Sequence, residues 1–170
     1  AQLRFWLLEQ LQPGEPAHHL CGSLHLRGPL DLAAMRRAID DVIARHEVLR
    51  TTFALAGDEP RAFVRAPQPF ALTTADVRAS DDRPATILEH RERLSLQPFD
   101  LGGVLLMRAT LLQIASDEHE LVWCVHHICA DGLSMVQLVL ELAQLYEAHA
   151  TDGELPSAPQ TSRYHDFARW

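Results

Sequence analysis

The sequence predicts an α/β (α+β) fold: a mixed β-sheet in a two-layer arrangement, flanked by helices. Three observations predict it. Apolar residues recur with a period of two in some stretches and near 3.6 in others. Some strand patterns are joined by tight turns and others by whole helices, so hairpins and crossovers both occur. Finally, 47% of the 170 residues are apolar, which is enough for one domain with a sizeable core.

Each element has its own signal. Leu3, Trp6, Leu7 and Leu11 recur at helical spacing, and Pro13-Gly14 stops that helix. His18 to Leu26 alternates as a strand, and Gly28-Pro29 turns it. Asp31 is a good N-cap for a helix whose apolar stripe is Leu32, Met35, Ile39, Val42, Ile43 and His46. Arg50 to Leu55 reads as a strand, Asp58-Glu59-Pro60 as a turn, and Arg61 to Arg65 as the hairpin partner. Phe70 to Thr74 is a candidate third strand. Asp81/Asp82 open a helix from Pro84 to Leu96, and Pro98 to Gly103 is a loop. Val104 to Ile114 and Glu120 to His127 form a second hairpin around Asp117-Glu118. A long apolar helix follows at 133–149. Residues 151–162 read as a surface linker into a last short helix at Tyr164–Trp170.

Composition excludes several classes. The net charge is −8 and all 15 basic residues are arginines, in no run long enough to track phosphates, so nucleic acid is not an expected partner. No apolar run has membrane-spanning length and no signal peptide opens the chain, so no membrane partner is expected. The three cysteines Cys21, Cys124 and Cys129 are scattered, and the last two read as small core residues, which fits a reducing cytoplasm. The chain opens without methionine inside one helical pattern and ends on Trp170 inside another, so a piece of something larger is expected.

The chemistry concentrates in His126-His127-Ile128-Cys129-Ala130-Asp131-Gly132, between a buried strand and a helix. Successive strand side chains point to opposite faces, so the two histidines diverge: one enters the interior and the other a cavity. The same divergence argues against a metal, although His126, His127, Cys129 and Asp131 are all ligand types. No metal is expected. Asp131 can brace the turn, and Gly132 permits close backbone approach at a helix start.

Four segments then match a known family in order. Ala1-Gln2-Leu3-Arg4-Phe5-Trp6-Leu7 resembles its opening Ala-Gln-x-Arg-x-Trp element. Arg45-His46-Glu47-Val48-Leu49-Arg50-Thr51-Thr52-Phe53 is similar to its second signature. His126 to Gly132 resembles its His-His-x-x-x-Asp-Gly motif, and Tyr164 to Trp170 resembles its Tyr-x-Asp-[Tyr/Phe]-Ala-x-Trp segment. The chain thus resembles the N-terminal subdomain of condensation domains from non-ribosomal peptide synthetases, which share the chloramphenicol-acetyltransferase-like acyltransferase fold. Two departures stand out. Leu133 sits where many members carry Trp, and His18-His19 where many carry Tyr-Asn.

The resemblance implies amide formation between two carrier-bound thioesters. It makes His127 the catalytic histidine, accepting a proton from the amine or holding the amine in line. His126 is then structural, and Gly132 offers its N–H to the tetrahedral oxyanion. Asp131 is a structural partner of an arginine in the same lobe, for which Arg50 is the candidate. Ser134 and Gln2 are assigned to the substrate channel. No cofactor is expected to bind directly; substrates arrive on phosphopantetheine arms of donor and acceptor peptidyl carrier domains. The C-terminal lobe is absent, so residues 1–170 alone are expected to be inactive and to self-associate across the uncovered face. The alternatives are a coenzyme-A-dependent acyltransferase of the same fold and a catalytically silent docking domain.

Overall fold

The computed structural model describes residues 2–157, so the expected helix at Tyr164–Trp170 and the end of the linker lie outside the described residues. Helix α1 spans Gln2–Leu11 and strand β1 His19–Arg27, separated by a short 3-10 turn at Pro16–His18. Helix α2 (Leu32–Arg45) starts where expected: Asp31 accepts hydrogen bonds from the N–H groups of Ala33 and Ala34 and so satisfies two orphan donors. Its stripe Met35, Ile39, Val42 and Ile43 is buried together with Ala34 and Ala38. A second 3-10 turn, Glu47–Arg50, precedes the hairpin β2 (Thr51–Ala56) and β3 (Glu59–Val64). The hairpin closes at Gly57-Asp58, one residue earlier than the sequence suggests. Gly57 has φ +67°, the left-handed region that a two-residue hairpin turn demands. Pro60 therefore lies inside β3, where a two-stranded sheet leaves its missing N–H harmless.

The remaining elements are β4 (Thr73–Asp76), α3 (Arg83–Leu96), β5 (Met107–Ala115), β6 (Glu118–His126) and α4 (Gly132–Ala150). The main sheet has the order β1-β6-β5-β4: β1/β6 and β5/β6 are antiparallel, and β4/β5 is parallel. The mixed sheet with flanking helices is as expected. The third strand is shifted: Phe70 and Leu72 are core residues ahead of it, and β4 joins the main sheet beside β5 through the α3 crossover.

The second signature segment proves to be a clamp between helices. Arg45 Nη1 and His46 Nε2 reach the two carboxylate oxygens of Glu141 on α4, at 3.1 Å and 2.5 Å. His149 of α4 returns the grip at Asp41 of α2, at 2.7 Å. On the sheet, α3 is held by His19 Nδ1 on the Ser95 carbonyl and by Arg91 on Glu120. Arg108 donates to the carbonyls of Leu94, Gln97 and Pro98 and capitates the C-terminal end of α3, where a cation is favoured.

One sequence expectation is corrected here. Cys21 and Cys124 face each other directly in the β1/β6 register and are joined by a disulfide, so Cys124 is not a free small core residue and the cysteines carry no argument for a reducing compartment. Cys129 is free and buried.

Candidate active site

Strand β6 ends at His126, and the next residues turn toward α4. The turn is fixed from several sides. His126 donates its N–H to the Leu106 carbonyl (3.0 Å), His127 to the His18 carbonyl (2.7 Å), and Cys129 to the His126 carbonyl (2.9 Å). Gln2 donates its side-chain amide to the Ile128 carbonyl at 3.2 Å, which ties α1 to the turn. Gln2 thereby supports the loop.

The two histidines diverge as the strand period requires. His126 has 0% exposure, and its Nδ1 accepts the Ile128 N–H at 3.0 Å. Burial pushes its pKa down to about 4, against the opposing pull of the nearby Glu9 carboxylate. His127 is half-buried, and its ring stacks on Phe5 with centroids 4.7 Å apart and planes 19° from parallel. Phe5 supplies one wall for the ring, and the residue keeps part of its surface exposed.

Asp131 caps α4. Its Oδ1 accepts from the backbone N–H of Ser134 (2.8 Å) and from the Ser134 hydroxyl (2.7 Å). These bonds hold the Asp131 carboxyl below the usual carboxylate range. The expected pairing with Arg50 is not made. Arg50 instead donates to the carbonyls of Arg65 (2.6 Å) and Ala44 (3.3 Å) and sits 3.8 Å from Glu47, tying the 3-10 turn to the hairpin. The physical reason is local: a helix start offers Asp131 two donors three residues away, closer than any arginine. Ser134 gives both its N–H and its hydroxyl to the Asp131 cap. Gly132 is exposed at the first position of α4. Its φ is outside the left-handed region, and an added Cβ would meet nothing within 4 Å. The fold does not need a glycine here, and the backbone is open to close approach.

Of the predicted residues, the structure brings His126, His127, Gln2, Asp131, Gly132 and Ser134 into one turn and places Arg50 elsewhere. It also adds two that sequence reasoning missed. Phe5 is one. Glu9 is the other: a 6% exposed carboxylate on α1 whose Oε1 accepts the Gly14 N–H at 2.6 Å. Its Oε2 faces His18 Nδ1 at 3.8 Å and His126 Nε2 at 3.6 Å. The available signals were a lone acid within an apolar helix and the His18-His19 departure. Burial pushes the Cys129 thiol far above its usual range, which leaves it without nucleophilic character.

A model of the family described as "Condensation domain" matches residues 1–170. The chain is 38% identical to chondramide synthase cmdD of Chondromyces crocatus over its whole length, but spans only 4% of that protein. It is similar to the starter condensation domain of rhizomide synthetase RzmA, with a TM-score of 0.90 and 23% identity over 99% of this chain and 41% of that one. It is also similar to a chain in the complex of the X-domain and OxyB from teicoplanin biosynthesis, with a TM-score of 0.81 and 35% identity over 99% of this chain and 36% of that one. A match along the entire chain, together with the shared fold and the His126–Gly132 turn, leads to one conclusion: the chain belongs to the condensation-domain family.

Proposed function

We propose that this chain is the N-terminal lobe of a peptide-bond-forming condensation domain in a non-ribosomal peptide synthetase or a hybrid polyketide/peptide synthetase. The single observation that carries the reading is the state of His127: a half-buried ring, backed by Phe5, at the open end of β6 beside the unobstructed Gly132 backbone. The amine of an acceptor aminoacyl thioester attacks the carbonyl carbon of a donor acyl or peptidyl thioester. A C–N bond forms, the C–S bond breaks and the pantetheine thiolate leaves. The amine proton passes to His127 or, with His127 holding the amine in line, to water. Gly132 N–H faces the developing oxyanion. General-base help is worth ~10²–10⁴ in rate, roughly 3–5 kcal/mol, whereas positioning two reactants supplies about 7–11 kcal/mol. A thioester is already activated, so positioning carries the larger share.

The reading makes donor and acceptor peptidyl carrier domains the partners, with phosphopantetheine as their arm, and a C-terminal lobe as the other wall of the channel. It places the protein in the cytoplasm; among the described residues no helix is long and apolar enough to cross a membrane. In a complete domain carrying this chain, His127→Ala is expected to lower product formation from loaded carriers at least ~10²-fold while carrier affinity stays within about twofold. Unchanged product formation removes His127 from the mechanism. Turnover with a coenzyme-A donor in place of the carrier assigns the protein to free-standing acyl transfer instead. One observation favours a second reading, a silent protein-binding domain: the likeness to the chain from the X-domain and OxyB complex. Absence of turnover in the unaltered domain with every loaded carrier pair would favour it.

A further inference from the structure

We propose that Glu9 is a positioning residue for His127: its buried carboxylate fixes the tautomer of His126, and that tautomer holds the turn on which His127 is mounted. The inference rests on His127 as the reacting group.

His126 Nδ1 accepts the Ile128 N–H at 3.0 Å. An accepting nitrogen carries no proton, so the neutral ring holds its one proton on Nε2. The alternative tautomer sets Nδ1–H against the Ile128 N–H. Two donors then face each other in a fully buried place, and the turn loses one of its bonds. The Ile128 N–H favours the proton on Nε2, and Glu9 is placed to deepen that preference. Its Oε2 lies 3.6 Å from Nε2, has no hydrogen-bond partner and is buried, so its negative charge acts at low dielectric. The carboxylate is not free to swing, because Oε1 is anchored by the Gly14 N–H at 2.6 Å. His126 is kept uncharged by its own burial, so the choice between tautomers is the relevant equilibrium. The consequence passes to His127 through the backbone. His127 lies between His126 and Ile128, and its own N–H is tied to His18. A carboxylate that fixes a histidine tautomer through one nitrogen is a common way to orient the group beyond it.

His18 Nδ1 points at the same oxygen from 3.8 Å, and the donor atoms of Glu9, His18 and His126 all lie within 4.8 Å of one another. That spacing also fits a metal cradle. A metal on His126 Nε2 needs the lone pair there and the proton on Nδ1, which would set Nδ1–H against the Ile128 N–H. The carboxylate reading therefore takes precedence over the metal one.

The test is nitrogen-15 NMR of histidine-labelled complete domain, with steady-state kinetics on loaded carriers. The unaltered protein should show His126 as the Nε2–H tautomer alone. Glu9→Leu should give mixed tautomer signals and a kcat lowered ~10–100-fold, with KM changed less than twofold. Glu9→Gln leaves one acceptor oxygen for two N–H groups, those of Gly14 and His126 Nε2, so its tautomer signals and kcat should fall between those of the unaltered protein and Glu9→Leu. An Nδ1–H tautomer in the unaltered protein overturns the proposal, and this holds even if Glu9→Leu fails to fold. So does a kcat loss in Glu9→Leu with the tautomer intact. Displacement of the His18 and His126 signals by added zinc replaces the proposal with the metal reading. Failure of the proposed function is distinguishable: there, His127→Ala leaves the rate unchanged whatever Glu9 does.

Discussion

His126 is surrounded by the rings of His18, His19 and Phe99 and has no exposed surface. Its depressed pKa has a consequence for stability. An unfolded histidine takes up a proton near pH 6.5, whereas the folded one resists until about pH 4. Above pH 6.5 both states are neutral and nothing is lost. As pH falls through that window the unfolded chain binds the proton first, so stability declines and levels off near pH 4. The expected loss is on the order of 3 kcal/mol, read as a falling denaturation midpoint in urea between pH 7 and pH 4. His126→Asn should flatten that slope, and an unaltered slope in the variant would refute the assignment. Residues of this kind were half legible in sequence. The strand period announced that one histidine goes in and the other out. Nothing local announced Glu9 or Phe5 as their neighbours, because α1 meets the β6 turn only through the packed fold.

Among the elements, α4 depends on Asp131. Replacing Asp131 by Ala removes the acceptor for Ser134 and should cost about 0.5–2 kcal/mol, while Asp131→Ser should recover most of it. The protein should stay soluble and melt a few degrees lower in a thermal scan. Aggregation on expression would argue instead for a buried ion pair. Helix starts were readable at Asp31 and Asp82 because capping is local, each accepting from N–H groups two or three residues on; Asp131 caps in the same way but was read as an arginine's partner. The Arg50 partner and strand β4 were not readable, since both are decided by distant chain. Four residues such as Thr73–Asp76 become a strand only because β5 offers a free edge.

For the molecule as a whole, the mixed sheet and its flanking helices followed from periodicity, and the four ordered motifs pointed to the family. The uncovered surface is a matter of geometry. Leu3, Leu7 and Leu11 fall on one face of α1, and Leu133, Val136 and Leu140 on one face of α4, all strongly exposed. Residues 1–170 alone should therefore associate at micromolar concentration, measured by light scattering, and Leu133→Glu with Leu140→Glu should shift them toward monomer. A monomer without the substitutions would indicate that these faces carry no attraction. A last consequence follows from the β1/β6 ladder, which sets His19 opposite His126 and Cys21 opposite Cys124. Parity along a strand is two, so one extra residue inserted between positions 119 and 125 would exchange the fates of the neighbouring imidazoles, burying the His127 ring and exposing that of His126. Two extra residues would restore the facing but displace both rings by about 7 Å along the strand. Insertion scanning should find β6 intolerant of either length.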